Sequence, residues 1–310
     1  MRFCSFQSGD SVPRFGFSLD DRRIVDIPAA LTCLGESRLA AAMPKPLVHA
    51  LDLKTWLMAG QTAVNFSDQL RQLLLSPEGD CRSAVLDTSR VRFMPPIPNA
   101  GKIIAIGLNY RDHAAEQKAP LPQAPLIFAK FPTALIGHEG EIRLPGISQK
   151  VDVEAELCVV MGKTGRGFTE SEAREAIAGY TIGNDVSARD LQFSDRQWVR
   201  GKSCDTFAPC GPFVVTPDEI ADPHALNIKL ELNGRVQQSS NTREMVFNSY
   251  ALVAYISQTI TLETGDLIYT GTPAGVGVFR DPPVFLRAGD VVEVSIEKIG
   301  ALRNRVVNGD

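Results

Sequence analysis

The sequence is most informative at first in what it lacks. No stretch reaches the roughly 18 uninterrupted apolar residues that a membrane-spanning helix requires, and the opening MRFCSFQSGD has no apolar leader segment. The 6 cysteines, Cys4, Cys33, Cys81, Cys158, Cys204 and Cys210, are scattered without CxxC spacing. Neither a zinc cluster nor a disulfide framework is therefore expected; free thiols in a reducing, cytoplasmic setting are. With 32 Lys and Arg against 36 Asp and Glu, the formal net charge is −4, and no basic surface for nucleic acid is expected. Repeats and low-complexity tracts are missing. No serine sits in a GxSxG turn, which removes the usual nucleophile elbow of a Ser-His-Asp hydrolase.

What remains is an ordinary globular composition, 44% hydrophobic and 22% charged over 310 residues. A chain of this size can bury about 75% of its unfolded surface without staples. The first part differs in pattern from the rest. RFGFSLDDRRIVDIP predicts a hairpin turning near Asp20 and Asp21, and LVHALDLKTWLMAG and NFSDQLRQLLLSP have helical spacing, with Ser67 as N-cap of the second. MPPIPNAGK, residues 94–102, reads as a boundary. A small domain over 1–95 and a catalytic domain over 101–310 follow.

Beyond that boundary short β-like runs dominate. Asn233-Gly234 marks a hairpin between IKLEL and RVQQS. TESEAREAIAG carries a capping box, Thr169 with Glu172, and a glycine after its last apolar residue, while FNSYALVAYISQTI is amphipathic behind Asn248 or Ser249. The fold class expected is α+β, rich in strands.

One strand carries an unusual load. DVEAELCVVMGK places Asp152, Glu154 and Glu156 on a single face, because strand side chains alternate. Like charges this close repel, and burying one unpaired is costly. Asp185, in GYTIGNDVSARD, is a further carboxylate of similar setting. Three carboxylates make a hard oxygen shell suited to Mg²⁺, Mn²⁺ or Ca²⁺; a solvated strand end paired with Arg189 or Lys202 is the plainer alternative. Lys202, in a semi-apolar loop within RGKSCDTFAPCGP, needs an anionic partner, whether a structural one or a developing enolate. In LIYTGTPAGVG, the backbone N–H groups about Gly271 and the Thr272 hydroxyl form a candidate carboxylate cradle, although any tight turn has similar composition. His113 and Glu116, one helical turn apart, read either as an exposed pair or as an oriented base. His138 and His224 read as turn residues, and His49 as packing.

Taken together, IGLNYRDHAAE, DVEAELCVVMGK, GYTIGNDVSARDLQ, RGKSCDTFAPCGP and GDLIYTGTPAGVG resemble, in order and spacing, the fumarylacetoacetate hydrolase family. The likeness covers about residues 101–308 and is to the bacterial branch of acylpyruvases, oxaloacetate decarboxylases and 2-hydroxyhepta-2,4-diene-1,7-dioate isomerases. It implies a mixed β-roll, a homodimer and one Mg²⁺ or Mn²⁺ held by Glu154, Glu156 and Asp185. It also implies Lys202 as the active-site lysine, Arg189, Gln192, Gly271 and Thr272 near substrate, and a His113–Glu116 dyad on a lid. The family's name-giving enzyme has a further aspartate before the lid; here Asn109 stands near that place. The reaction the resemblance implies first is metal-dependent C–C hydrolysis of a short 2,4-dioxo acid through a metal-bound pyruvate enolate. Oxaloacetate decarboxylation and enol–keto isomerisation of an unsaturated diacid use the same site. No nucleic acid or membrane partner is expected.

Overall fold

The structure, a computed structural model, describes residues 1–9, 11–35, 42–76 and 81–309. The chain opens with β1 (Arg2–Gln7) and the expected hairpin of β2 (Arg14–Ser18) and β3 (Arg23–Asp26). Asp20 Oδ1 closes its turn by accepting from the N–H groups of Arg22 and Arg23 at 2.9 and 2.8 Å. Among the described residues three α-helices follow, α1 (Ile27–Leu34), α2 (Leu53–Leu57) and α3 (Gln61–Leu75). The last begins earlier than expected, because Ala63 and Phe66 continue its buried face; Gly60 is the N-cap. Ser67 lies inside the helix, buried, and accepts from Trp56 Nε1 at 3.3 Å. His49, expected to pack, is exposed. Cys33 and Cys81 are joined in a disulfide, which corrects the expectation of free thiols throughout; a 48-residue separation without a spacing motif gave no sign of it. Cys4, Cys158, Cys204 and Cys210 are free.

After β4 (Val85–Asp87) and β5 (Arg92–Phe93), residues 94–102 pack against β1: Ser5 Oγ donates to the Pro96 carbonyl at 2.7 Å, and Ile97 is buried. Then come β6 (Ile103–Gly107), α4 (Arg111–Glu116), β7 (Leu126–Lys130), β8 (Leu135–Ile136), β9 (Glu141–Leu144), β10 (Val151–Asp152) and β11 (Ala155–Met161). The Thr169–Glu172 capping box opens α5 (Glu170–Ala176) as expected. No glycine cap ends it: the helix runs straight into β12 (Ile177–Asn184), with Gly179 inside the strand. Short β13 (Ser187–Ala188), α6 (Arg189–Asp195) and α7 (Trp198–Lys202) precede β14 (Ala208–Val215). Asn233 and Gly234, at φ 54 and 74, turn β15 (Asn227–Leu232) into β16 (Arg235–Asn241). Asn248 caps α8 (Ser249–Ser257), and β17 (Leu267–Tyr269), β18 (Val291–Ile296) and β19 (Gly300–Asn308) complete the chain.

A 12-stranded sheet runs β4-β3-β2-β1-β14-β12-β11-β17-β6-β7, with β5 on β1 and β8 on β14. A 5-stranded sheet runs β16-β15-β18-β19-β9. Both are mixed: β17 pairs parallel to β6, and β19 parallel to β9. This is the expected α+β architecture, with no closed barrel among the described residues. Through the β1–β14 pairing the N-terminal strands extend the same sheet that carries the acidic strand. β11 is central and buried along its whole length, on both faces, which explains its continuous apolar run after the carboxylates.

Register brings the acidic groups together. Ala155 pairs with Asn184 and Glu156 with Gly183, so the start of β11 lies beside the end of β12, where Asp185 follows. Gly183 has no room for a side chain, since a Cβ there would lie 2.5 Å from the Tyr269 ring. Gly183→Ala is expected to destabilise the fold by about 1–3 kcal/mol through overpacking, read as a lower urea midpoint. An unchanged midpoint would show that this close approach does not hold the two strands.

Candidate metal centre and catalytic cavity

The expected three-carboxylate face of one strand is interrupted: β10 ends at Asp152 and β11 begins at Ala155. The break separates the carboxylates into two jobs. Asp152 turns away from the other two and is enclosed by donors, accepting from Gly277 N–H at 2.8 Å, Val278 N–H at 3.0 Å and Arg189 Nε at 2.9 Å. Glu154, Glu156 and Asp185 converge instead. Each is buried, and each offers an oxygen within 4.8 Å of the others.

Two lysines enter this cluster. Lys202 Nζ donates to Glu154 Oε2 and Asp185 Oδ2, both at 2.7 Å. Its backbone is the last residue of α7 rather than the loop expected. Lys130, at the end of β7, has a fully buried side chain and donates to Asp185 Oδ1 at 2.5 Å and to the Val186 carbonyl at 3.2 Å. Arg189 Nη2 lies 2.7 Å from Glu154 Oε1, and its Nη1 donates to Gln192 Oε1 at 3.0 Å. Among the described residues, no lysine or arginine pairs with Glu156. Its neighbour is the Gly271 N–H, which donates to Oε2 at 2.6 Å.

The proton affinities follow from this uneven distribution. Burial pushes the Glu156 carboxyl well above its usual range, and the charges of Asp185 and Glu154 push it further. Burial acts the same way on Glu154, but Lys202 and Arg189 prevail and hold it far below. For Lys202, burial is outweighed by Asp185 and Glu154, so its ammonium form is favoured. Lys130 goes the other way: burial, aided by repulsion from Lys202, exceeds the pull of Asp185 and lowers its value.

The donor set fits a divalent cation. Four buried carboxylates, counting Asp152, face three cations, and the unmatched charge falls at Glu156, inside an all-oxygen cluster. Glu154, Glu156 and Asp185 are the residues able to hold such an ion.

Beside the cluster lies a cavity of about 210 Å³, lined in part by Glu154, Arg189, Gln192, Lys202, His113 and Thr272. Six of the residues singled out in the sequence thus meet at one cleft. His113 is buried on α4; its Nδ1 lies 3.0 Å from Glu116 Oε2, and Gln117 Nε2 lies 2.6 Å from its Nε2. Because a carboxylate only accepts, Nδ1 carries the proton, and Nε2 is the lone pair facing Gln117. Glu116 is itself anchored, accepting from Gly275 N–H at 2.8 Å.

The glycine turn after β17 serves differently from the cradle expected of it. Its N–H groups bind the protein's own carboxylates, Gly271 on Glu156, Gly275 on Glu116, and Gly277 on Asp152. Thr272 Oγ1 accepts from Gln238 Nε2 at 2.8 Å, which leaves its hydroxyl proton to donate. Asn109 is a structural residue: its Nδ2 donates to the Thr270 and Phe247 carbonyls at 2.7 and 2.9 Å, and its Oδ1 accepts from Phe247 N–H at 2.9 Å. It supplies no ligand oxygen to the cluster. His138 and His224 are turn residues as expected, and His224 Nε2 lies 2.8 Å from Ser249 Oγ. Sequence reading missed Lys130 and Gln117. The first ends the apolar strand LIFAK and carries no local signal of its inward position; the second is signalled by its place one helical turn beyond His113.

Comparison with known proteins matches this arrangement to a family. Residues 102–307 fit the model for the fumarylacetoacetate (FAA) hydrolase C-terminal domain. The chain is 43% identical to a mitochondrial oxaloacetate tautomerase of Xenopus laevis, over 99% of this chain and 90% of that protein. Crystal structures of a putative HpcE protein and of a 5-carboxymethyl-2-hydroxymuconate delta-isomerase, both from Mycobacterium smegmatis, superpose with TM-scores of 0.80 and 0.74. Each is 33% identical to this chain, with 100% of both chains covered. The protein belongs to the fumarylacetoacetate hydrolase family and is of an enzyme kind. No helix among the described residues is long and apolar enough to cross a membrane.

In the metal-free protein, Glu156 should make stability fall as pH rises from the ordinary carboxylate range through its raised value, since the folded state keeps a proton that the unfolded chain releases. Glu156→Gln is therefore expected to raise the metal-free Tm by a few degrees, to flatten that pH dependence and to abolish any Tm rise on adding Mn²⁺. A lower metal-free Tm together with an intact Mn²⁺ response would contradict this charge distribution.

Proposed function

We propose that this enzyme is a divalent-metal-dependent keto–enol tautomerase of short 2-oxo acids. The observation that carries the reading is the buried trio of Glu154, Glu156 and Asp185 beside an ammonium and an oriented imidazole. The names of the Xenopus relative and of the Mycobacterium isomerase support proton-transfer chemistry over bond cleavage. When bound, Mg²⁺ or Mn²⁺ would supply Lewis-acid stabilisation of negative charge on the substrate's C2 oxygen.

The chain's own groups do the rest. Lys202, kept protonated by Glu154 and Asp185, directs its charge at the same oxygen and favours the enolate over the neutral acid. Thr272 Oγ1–H and the Gln192 amide line the cavity where the substrate carboxylate must lie, and they orient it. His113 Nε2, once substrate displaces the Gln117 amide that faces its lone pair, moves the proton at C3, taking it from the keto form and returning it to the enol's carbon. Glu116 holds the ring in the required tautomer, and Gly275 holds Glu116. Arg189, clamped between Asp152 and Glu154, fixes Glu154 instead of binding substrate as a free cation.

A second reading, hydrolysis of the C3–C4 bond of a 2,4-dioxo acid, is favoured by the same dyad, since Nε2 could take its proton from water instead. Product analysis separates the two. Enol-oxaloacetate should ketonise faster in the presence of enzyme and Mn²⁺, with the acceleration lost in EDTA. Acetylpyruvate should not yield pyruvate and acetate at a comparable rate; if it does, and ketonisation is not accelerated, the hydrolase reading replaces this one. His113→Ala is expected to lower kcat by about 10²–10⁴-fold with KM little changed, and Glu116→Gln by less. A His113→Ala enzyme of near wild-type kcat would remove the imidazole from the mechanism.

A further inference from the structure

The cavity changes character along its length. Its inner end carries the charged groups already described, whereas its outer wall is formed by Leu126, Phe128, Phe193, Trp198 and Phe279. The Phe128 and Trp198 rings meet edge to face with centroids 5.3 Å apart. Phe128 also joins the two regions, since Lys202 Nζ lies 5.3 Å from its ring centroid. The indole reaches this wall because residue 107 is glycine: a Cβ there would lie 2.5 Å from the Trp198 ring. At the rim, Leu126, Phe193 and Phe279 are 46%, 56% and 41% exposed. These are large apolar side chains left in water around one opening.

Charge at the outer end is missing in a specific sense. The two cations among the lining residues, Lys202 and Arg189, each already contact two carboxylates, Glu154 and Asp185 for the first, Asp152 and Glu154 for the second. A substrate that places its first carboxylate at the inner end would direct a second one at the aromatic wall, where neither lining cation is free of carboxylate partners to receive it. A carboxylate taken from water into such surroundings without a cation is penalised, while a flat apolar group gains ring contacts there.

Resting on the tautomerase reading, we propose that the preferred substrates are 2-oxo acids bearing an aromatic or conjugated apolar group at C3, in preference to C4 dicarboxylates. The step is unchanged: the enol O–H proton leaves, C3 gains one, and no oxidant or further reactant is needed. The ring stacks against Phe128 and Trp198, with Phe193 and Phe279 covering its outer face.

The test uses the full-length enzyme loaded with Mn²⁺. Ketonisation of enol-phenylpyruvate and of enol-oxaloacetate is compared by kcat/KM, and binding of each acid by calorimetric titration. At least a tenfold preference for phenylpyruvate is expected in both. Phe193→Arg, a change at an exposed rim position, should shift the ratio tenfold or more toward oxaloacetate, mainly through a lower KM for the diacid. A wild-type preference for oxaloacetate, or a ratio that Phe193→Arg leaves unmoved, would overturn the inference. Turnover of neither acid would defeat the tautomerase reading instead; the titrations would then decide this proposal alone, tenfold tighter phenylpyruvate binding upholding it and equal or weaker binding overturning it.

Discussion

Three buried carboxylates that repel one another form the constraint on which the rest of this molecule turns. Glu154, Glu156 and Asp185 lie too close together, and too far from water, to be charged side by side without positive charge among them. Lys202 and Arg189 supply it for Glu154, and Lys130 and Lys202 for Asp185, while among the described residues Glu156 has only a backbone N–H. The cluster is thus incomplete in a particular way, short of one compact cation bound by oxygen. The same incompleteness gives the site its chemistry, because a centre arranged to hold positive charge also stabilises negative charge that develops on a bound oxo acid.

Holding such a cluster requires rigid supports, and the fold supplies them from several directions. Register between the central strands β11 and β12 fixes Glu156, while Glu154, just before β11, and Asp185, just after β12, are joined by the Asp185 N–H, which donates to the Glu154 carbonyl at 2.9 Å. The glycine turn after β17 then grips Glu156, Glu116 and Asp152 with successive N–H groups. One loop therefore sets the position of a ligand carboxylate, of the group that orients His113, and of the anion that fixes Arg189. Gly271 and Gly275, at φ 99 and 105, allow the chain to aim those groups in turn. Chemistry at the cavity and packing of the core are in this sense one arrangement.

Much of this was legible in the sequence, and the limits are physical. Alternation identified the pairing of Glu154 with Glu156, and helical spacing identified His113 with Glu116, because both signals are local. The hairpin at Asn233-Gly234, the Thr169–Glu172 box and the Asn248 cap were legible for the same reason: each is a backbone requirement met by particular residue types within a few positions. Asp185 was singled out as a carboxylate of similar setting, but its convergence with the pair comes from strand register across a turn. Lys130 was hidden, since a lysine ending an apolar strand looks the same whether it points to solvent or inward. The glycine turn showed that N–H groups were available but not which carboxylates they would meet. The helix carrying Lys202 is a single turn containing a glycine, too short for periodicity to reveal. The Cys33–Cys81 bond depends on how α1 packs, which no spacing encodes.

A cation at the position these carboxylates define is the feature from which the chemistry of the cavity follows. Anomalous diffraction from crystals grown with Mn²⁺, collected on either side of the manganese edge, tests this most directly. A single strong anomalous peak per chain is expected, contacted by oxygens of Glu154, Glu156 and Asp185. A map without a peak there at saturating Mn²⁺, with Lys202 still bridging Glu154 and Asp185, would contradict it.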